Sequence, residues 1–326
     1  MPSHCVCLIS DRRQLFPTLL AAAQARAQTP AELADVVLCA IQPDPQAAAD
    51  FAAACAAEGV VFVPVRLEDV GGGSDGRFAA AAGGAIGMYA RLFLDRFLPD
   101  QYEQVLYLDG DIQVRQPLAP LLVAPLAPGH FLAASDPMVF VLGEQSAMGE
   151  RVGRYMDGLG LSAEQRSGYF NSGVLRLNRN GWDGIGREAH AFLLAHGEAC
   201  QFHDQSALNA VSAGRHTLMS FRWNFPIFFR NCGLEREIAP SVYHFMSHPK
   251  PWHGNFPPWN QAAVKPYRAL LQRHPRLAAY YPEFAAWKTG KYLLQQRLKQ
   301  VIELASWRFS ARRTRIIASE QAHTLA

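Results

Sequence analysis

VLYLDGD, residues 105–111, decides the fold class: an apolar, partly β-branched and aromatic run ends in two carboxylates, Asp109 and Asp111, with a single glycine between them. Such a run, lacking the polar alternation of a half-exposed strand, is typical of a strand in a parallel sheet covered on both faces. The carboxylates then fall at the strand's carboxyl edge, where open α/β sheets bind ligands. Gly110 lets the backbone turn tightly enough for both acids to approach one ion, and oxygen ligands favour a hard divalent cation, Mg²⁺ or Mn²⁺. The same residues also make ordinary turns, so this spacing alone leaves a plain turn open.

Upstream, residues 4–10 (HCVCLIS), 35–41 (DVVLCAI) and 60–65 (VVFVPV) read as strands, with alanine-rich helices near residues 14–27 and 46–58 between them. That alternation predicts a doubly wound α/β half. Residues 71–84, rich in glycine and alanine, read as a mobile loop but not a phosphate-binding one, since neither GxGxxG nor GxxxxGK[ST] occurs. Residues 86–97 carry a helical apolar pattern that delivers Arg91. The stretch 130–142 reads as a strand containing Asp136, 170–178 (FNSGVLRLN) as another strand, and 185–196 as a helix. Residues 204–211 begin a further helix with Asp204 at its cap. The predicted class is therefore α/β, with a Rossmann-like central sheet flanked by helices. Residues 1–255 are expected to form the main domain and 256–326 a helical extension.

With 49% hydrophobic and 18% charged residues, the chain has a globular composition that argues against disorder. Its six cysteines show no CxxC and no regular spacing, so they are expected as buried thiols of a reducing compartment. Cys5 and Cys7, two apart, should share one face of the first strand. Residues 1–10 lack a signal-peptide pattern, and no apolar run has transmembrane length, so a cytoplasmic protein is expected. Charge is uneven: residues 265–315 hold twelve Lys or Arg against two Glu, whereas residues 1–264 hold 19 basic against 25 acidic residues. Within the basic tail, Tyr292, Leu293, Leu294, Leu298, Val301, Ile302, Leu304, Ala305 and Trp307 recur at roughly helical spacing, with Phe309 following. The pattern suits either peripheral contact with an anionic membrane or docking onto the body. No recognisable module accompanies the basic residues, so nucleic acid is not expected as a partner.

Four further polar clusters sit at element edges: Asn171-Ser172-Gly173, His203-Asp204-Gln205, Tyr243-His244 and Lys250-Pro251-Trp252-His253. His244, after a short strand at residues 241–243, is placed to add a nitrogen ligand to the two carboxylates. A metal, a lysine and an aromatic together fit a nucleotide diphosphate: Lys250 neutralises phosphate charge, and Trp252 stacks or closes. Each residue also has a plain reading, His244 as a core histidine, Lys250 as a solvated lysine and Trp252 as packing.

Five segments in order, MYARLFLDRFLPD (88–100), YLDGDIQV (107–114), YFNSGVLRLN (169–178), FHDQSALN (202–209) and YHFMSHPKPWH (243–253), resemble glycosyltransferase family 8. These are the retaining transferases that include the bacterial lipopolysaccharide galactosyl- and glucosyltransferases and glycogenin. The resemblance implies a GT-A type fold and Mn²⁺ (or Mg²⁺) on Asp109, Asp111 and His244. It implies Lys250 as a diphosphate contact, and Arg91, Asp136, Asn171, Asp204 and Gln205 around the donor sugar. The nucleotide side would hold Tyr89, Asp11, Ser10, Gly110 and Ser247. The implied donor is a UDP-hexose, glucose or galactose, and the implied acceptor a sugar hydroxyl of a lipopolysaccharide or other glycan. Where the family usually carries an acidic pair followed by an asparagine and a tyrosine, this chain has Ser10-Asp11-Arg12-Arg13. Ser247 or His248 stands in place of a usual glycine. A metal-dependent nucleotidyltransferase, or a sugar- or lipid-binding protein on a degenerate transferase fold, are the competing readings.

Overall fold

The computed structural model describes residues 2–71, 86–282 and 284–323; the stretch read as a loop at 71–84 lies, apart from Gly71, outside them. β1 (His4–Ser10), α1 (Leu15–Ala27), β2 (Ala34–Ile41), α2 (Pro45–Ala57) and β3 (Val61–Val65) follow the hydrophobic runs. Asp44 starts α2 by accepting the Ala47 N–H at 2.8 Å, with Pro45 at the first helical position. The three strands are parallel. Cys5 and Cys7 are both fully buried, and all six cysteines are buried free thiols.

After α3 (Ile86–Ala90) the chain continues through a 3-10 turn, Arg91–Phe93, and a short helix, Leu94–Phe97. β4 (Gln104–Leu108) then returns on the other side of β1, parallel to it, with Leu8 opposite Leu108. The winding thus changes direction between β1 and β4, and the crevice at their carboxyl ends is the switch point where such sheets take ligands. β5 (Ile112–Val114), β6 (Phe131–Ser135), β7 (Phe170–Asn178), α4 (Arg179–His196), α5 (His203–Val211), β8 (His216–Met219), β9 (Phe225–Pro226) and β10 (Val242–His244) complete the body. The large sheet runs β3-β2-β1-β4-β7-β6-β8, and a small one runs β5-β10-β9. β7 lies antiparallel to both β4 and β6, so the sheet is mixed and the parallel surroundings expected for β4 hold only on its β1 side.

Four sequence expectations shift. The helix over 86–97 breaks at Arg91, whose carbonyl accepts the Trp182 indole N–H at 2.7 Å and leaves the helical ladder. Asp136 is not inside a strand: β6 ends at Ser135, and Asp136 caps the 3-10 turn Pro137–Val141 by accepting the Met138 N–H at 3.0 Å. Asp204 lies in the first turn of α5 rather than at its cap, which is Phe202. His244 is the last residue of β10 instead of following it, which pairs it with Ile112, just past the carboxylates.

Beyond residue 255, α6 (Gln261–Arg273) packs on α1 and buries Tyr267 and Leu270 in the main core. α7 (Ala286–Glu303) and α8 (Ala311–Ala322) follow. The tail stripe divides. Trp307 is buried with its ring 5.4 Å from Phe228, and burial of a side chain of that size contributes roughly 2–3 kcal/mol. Arg312 and Arg315 pair with Glu144, and Arg313 with Glu237. Docking onto the body therefore accounts for the end of the tail.

Candidate active site

Asp109 follows β4, where its backbone N–H bonds to the Gly173 carbonyl of β7 at 2.8 Å. Asp111 precedes β5, and its carbonyl accepts the Phe245 N–H, which sets His244 beside it. Gly110 is required by contact: a Cβ there would lie 2.2 Å from the Thr18 hydroxyl of α1. Gly173 is required in the same way, since its Cβ would lie 2.3 Å from the His244 ring. The strand edge and the return of β10 thus bring one atom each of Asp109, Asp111 and His244 within 4.8 Å of one another.

The donor set fits a divalent cation, and the hydrogen bonds of His244 show why. Its Nδ1 lies 2.8 Å from Asn224 Oδ1, while Asn224 Nδ2 donates to Asn171 Oδ1 at 2.8 Å. An amide oxygen only accepts, so Nδ1 carries a proton; Nε2, 3.2 Å from Asp111 and 3.8 Å from Asp109, donates to the carboxylates when it is protonated and offers its lone pair to a cation when it is not. Two carboxylates with one imidazole suit Mn²⁺ better than Mg²⁺, which prefers oxygen alone. Asn224 carries no signal in its surrounding sequence; only the fold places it behind His244.

Each carboxylate also holds a cation of the chain. Lys250 Nζ lies 2.6 Å from Asp111 and also donates to the Phe245 carbonyl. Burial works to raise the Asp111 pKa, but Lys250 and His244 hold it well below the usual carboxylate range. Arg91, fully enclosed, donates to Asp109 at 2.9 Å and to the Ser172 carbonyl at 2.6 Å, and lies over the Tyr107 ring. Tyr107 in turn donates its hydroxyl to Asp109 at 2.7 Å.

Behind Arg91 lies the second half of the expected set. Gln205 donates to Asp136 at 3.1 Å and accepts from Asn171 at 3.0 Å and from the Ser172 N–H at 3.1 Å, so its carbonyl oxygen and one of its two N–H groups are engaged. Burial pushes Asp136 up from its ordinary range. Asp204 differs from these. Its Oδ2 lies 3.1 Å from Arg91 Nε, but that N–H points to the Met88 carbonyl, leaving Oδ2 buried with no hydrogen bond among the described residues. Burial, partly opposed by Arg91, pushes Asp204 up to about 6. A buried carboxylate oxygen without a hydrogen-bond donor is unusual in folded proteins, which makes Asp204 a candidate site residue.

A cleft of about 420 Å³ opens over the switch point, walled by Ser10, Asp11, Arg13, Arg91, Asp109, Gly110, Asp111, His248 and Lys250. Tyr89 and Ser247 are off that wall: Tyr89 is buried and its hydroxyl pairs with His203 Nδ1 at 2.9 Å, and Ser247 is exposed. Trp252 is core rather than a lid over the cleft, packed edge-on to Tyr267 at 5.5 Å. Arg12 points away to Asp44, whereas Arg13 faces the cleft.

Comparison with known proteins bears on the family and the fold. A protein of Streptococcus gordonii named as a glycosyl transferase, Gly, is 30% identical over 169 residues, which are 49% of this chain and 21% of that protein. A protein of Haemophilus influenzae named as a glycosyltransferase is 24% identical over 176 residues, 52% of this chain and 49% of its own length. The chain thus spans half or less of these curated relatives. The crystal structure of galactosyltransferase LgtC with donor and acceptor sugar analogues superposes with a TM-score of 0.60 at 23% identity, over 88% of this chain and 99% of that one. That likeness establishes the GT-A type fold. The model of the glycosyl transferase family 8 matches residues 77–255, which include all five ordered segments and every ligand of the carboxylate–histidine cluster; the chain belongs to glycosyl transferase family 8.

Proposed function

We propose that residues 1–255 transfer a hexose, with retention of anomeric configuration, from a nucleotide diphosphate sugar, UDP-glucose or UDP-galactose, to a sugar hydroxyl. The acceptor is a lipopolysaccharide-type or other glycan presented at the cytoplasmic face of the inner membrane. Residues 256–326 serve as a helical extension of this catalytic unit. One observation carries the reading: Asp109, Asp111 and His244 converge within 4.8 Å beside Lys250 at the sheet's switch point. That is the chemistry a diphosphate leaving group needs.

Mn²⁺ bound there supplies Lewis acidity, withdrawing charge from the leaving diphosphate. Lys250, swinging from Asp111 to a phosphate oxygen, neutralises a further charge as the glycosidic bond lengthens. Arg91 holds Asp109 and Asp204 in fixed relation, so the metal end and the sugar end of the site keep one spacing. Asp136, Asn171 and Gln205 brace one another and give the sugar hydroxyls an ordered set of partners. Asp204, ionised above about pH 6, sets a negative charge beside the carbon on which positive charge develops. Asp11 and Ser10 at the end of β1 face the base side of the cleft.

The test is Asp111→Ala. The residue sits at a strand edge outside the core, so the protein should fold, and transfer should fall at least about 100-fold, the loss of a few kcal/mol of transition-state stabilisation. A folded variant with near wild-type transfer overturns the assignment.

A further inference from the structure

α7 carries a second, outward apolar face that a helix serving only to brace the body does not need. Its inner face packs Tyr292 and Leu293 against an apolar cluster that includes Phe245 and Trp259, and completes the contact with polar groups: Gln296 donates to the His248 carbonyl at 3.0 Å, Gln300 reaches Asn231, and Glu303 accepts from Asn231 at 2.6 Å. Its outer face carries Trp287 (71% exposed), Leu294 (72%), Leu298 (60%), Val301 (63%) and Ile302 (54%), with Phe309 (77%) just beyond the helix. Trp287, Leu294, Leu298 and Val301 are seven, four and three residues apart, so they form one stripe along a rod of about 27 Å, with Lys291 on the same face between the first two. Exposed apolar side chains scattered singly need no explanation, whereas a stripe does.

The surrounding charge is of one sign. Lys291 lies on the stripe's own face and Lys288 and Arg297 flank it, and none of the three has an ion pair among the described residues. The only acid in α7, Glu303, is turned inward, and burial raises its pKa. These cations differ from Arg312, Arg313 and Arg315, which the body's glutamates hold. An apolar strip edged by unpaired cations matches the surface of an anionic bilayer: the indole of Trp287 and the leucines enter the acyl boundary while the lysines and arginines stay at the headgroups. A second copy of this chain is a poorer occupant, because pairing the stripe with itself would press Lys291 and Arg297 against their counterparts.

We propose that the outer face of α7 is a docking surface for anionic lipid, lying flat on the membrane. Among the described residues no helix is long and apolar enough to cross one, so docking is interfacial. This inference goes beyond the transfer reaction and does not depend on it.

The test uses the full chain, with vesicles of phosphatidylcholine alone or enriched in phosphatidylglycerol, at low and high salt. The wild type should co-sediment with the anionic vesicles at low salt only. Leu294→Ser with Leu298→Ser, both exposed and therefore neutral to folding, should weaken that binding at least about tenfold. Lys291→Glu with Arg297→Glu should weaken it likewise. Thermal stabilisation by nucleotide should be unchanged in both variants, so loss of docking and loss of the site are read separately. No binding by the wild type at low salt overturns the proposal, as does binding that neither variant weakens. Concentration-dependent dimers that the leucine variant abolishes, without vesicle binding, would give the face to a second copy instead.

Discussion

Replacing Asp204 with Asn should stabilise the protein while slowing it. The carboxyl has its pKa pushed up to about 6 from an ordinary 3.8, chiefly by burial. Between those values the unfolded chain has released the proton and the folded chain has not. Stability therefore falls as pH rises through this window, and the full cost persists above it. Two pKa units at about 1.4 kcal/mol each come to on the order of 3 kcal/mol. Asparagine keeps the size without the charge, and Arg91 retains Asp109 and the Ser172 carbonyl. Given an unfolding entropy of roughly 0.7 kcal/mol/K for a chain of 326 residues, Tm should rise by roughly 4 °C near pH 8 and hardly at all below the unfolded pKa. Thermal melts of wild type and variant at the two pH values make the comparison, alongside kcat and donor Kd. Turnover should drop with little change in Kd, since the charge acts on the transition state. A variant less stable near pH 8, or equally shifted at both values, would refute the reasoning. Equal weakening of kcat and Kd would make Asp204 a ground-state sugar contact.

Asn224→Ala should remove the acceptor that fixes the His244 tautomer, lowering Mn²⁺ affinity by about 10–100-fold in calorimetry while the fold persists; unchanged affinity would detach Asn224 from the metal centre. In Mn²⁺, UDP should raise the melting temperature more than GDP, CDP or dTDP, as a specific ligand does by mass action, and stabilisation by GDP but not UDP would overturn the uridine assignment.

Much of this was legible in the sequence because it is local. β1, β2, β3 and β7 follow their apolar runs to within a residue, and the Asp-Gly-Asp turn lies at a strand's end because the run simply stops there. Asp136 was misread because the residues after it, Pro137–Val141, are as apolar as β6; Pro137, which cannot donate to a ladder, was the stop signal. Long-range partners left no trace. Asn224 acts on a histidine twenty residues away, and the Trp182 indole that breaks the helix at Arg91 comes from ninety-one residues further on. Helical spacing located the tail's apolar residues but could not say which would face inward, since Trp307 and Leu298 look alike to a periodicity and only Phe228 waits for the former.

The contact between Lys250 and Asp111 has a consequence for the order of events. An ammonium group cannot stay on a carboxylate and also reach a phosphate, so a diphosphate that draws Lys250 away uncovers an oxygen for the cation. Nucleotide would then strengthen cation binding, and thermodynamic reciprocity would oblige the cation to strengthen nucleotide binding by the same factor. Under the proposed function the lysine would act as a placeholder: it would keep Asp111 neutralised between turnovers and yield to a ligand that brings both its own anion and a metal. Selectivity for the loaded diphosphate over the bare ion would then reside in a single side chain.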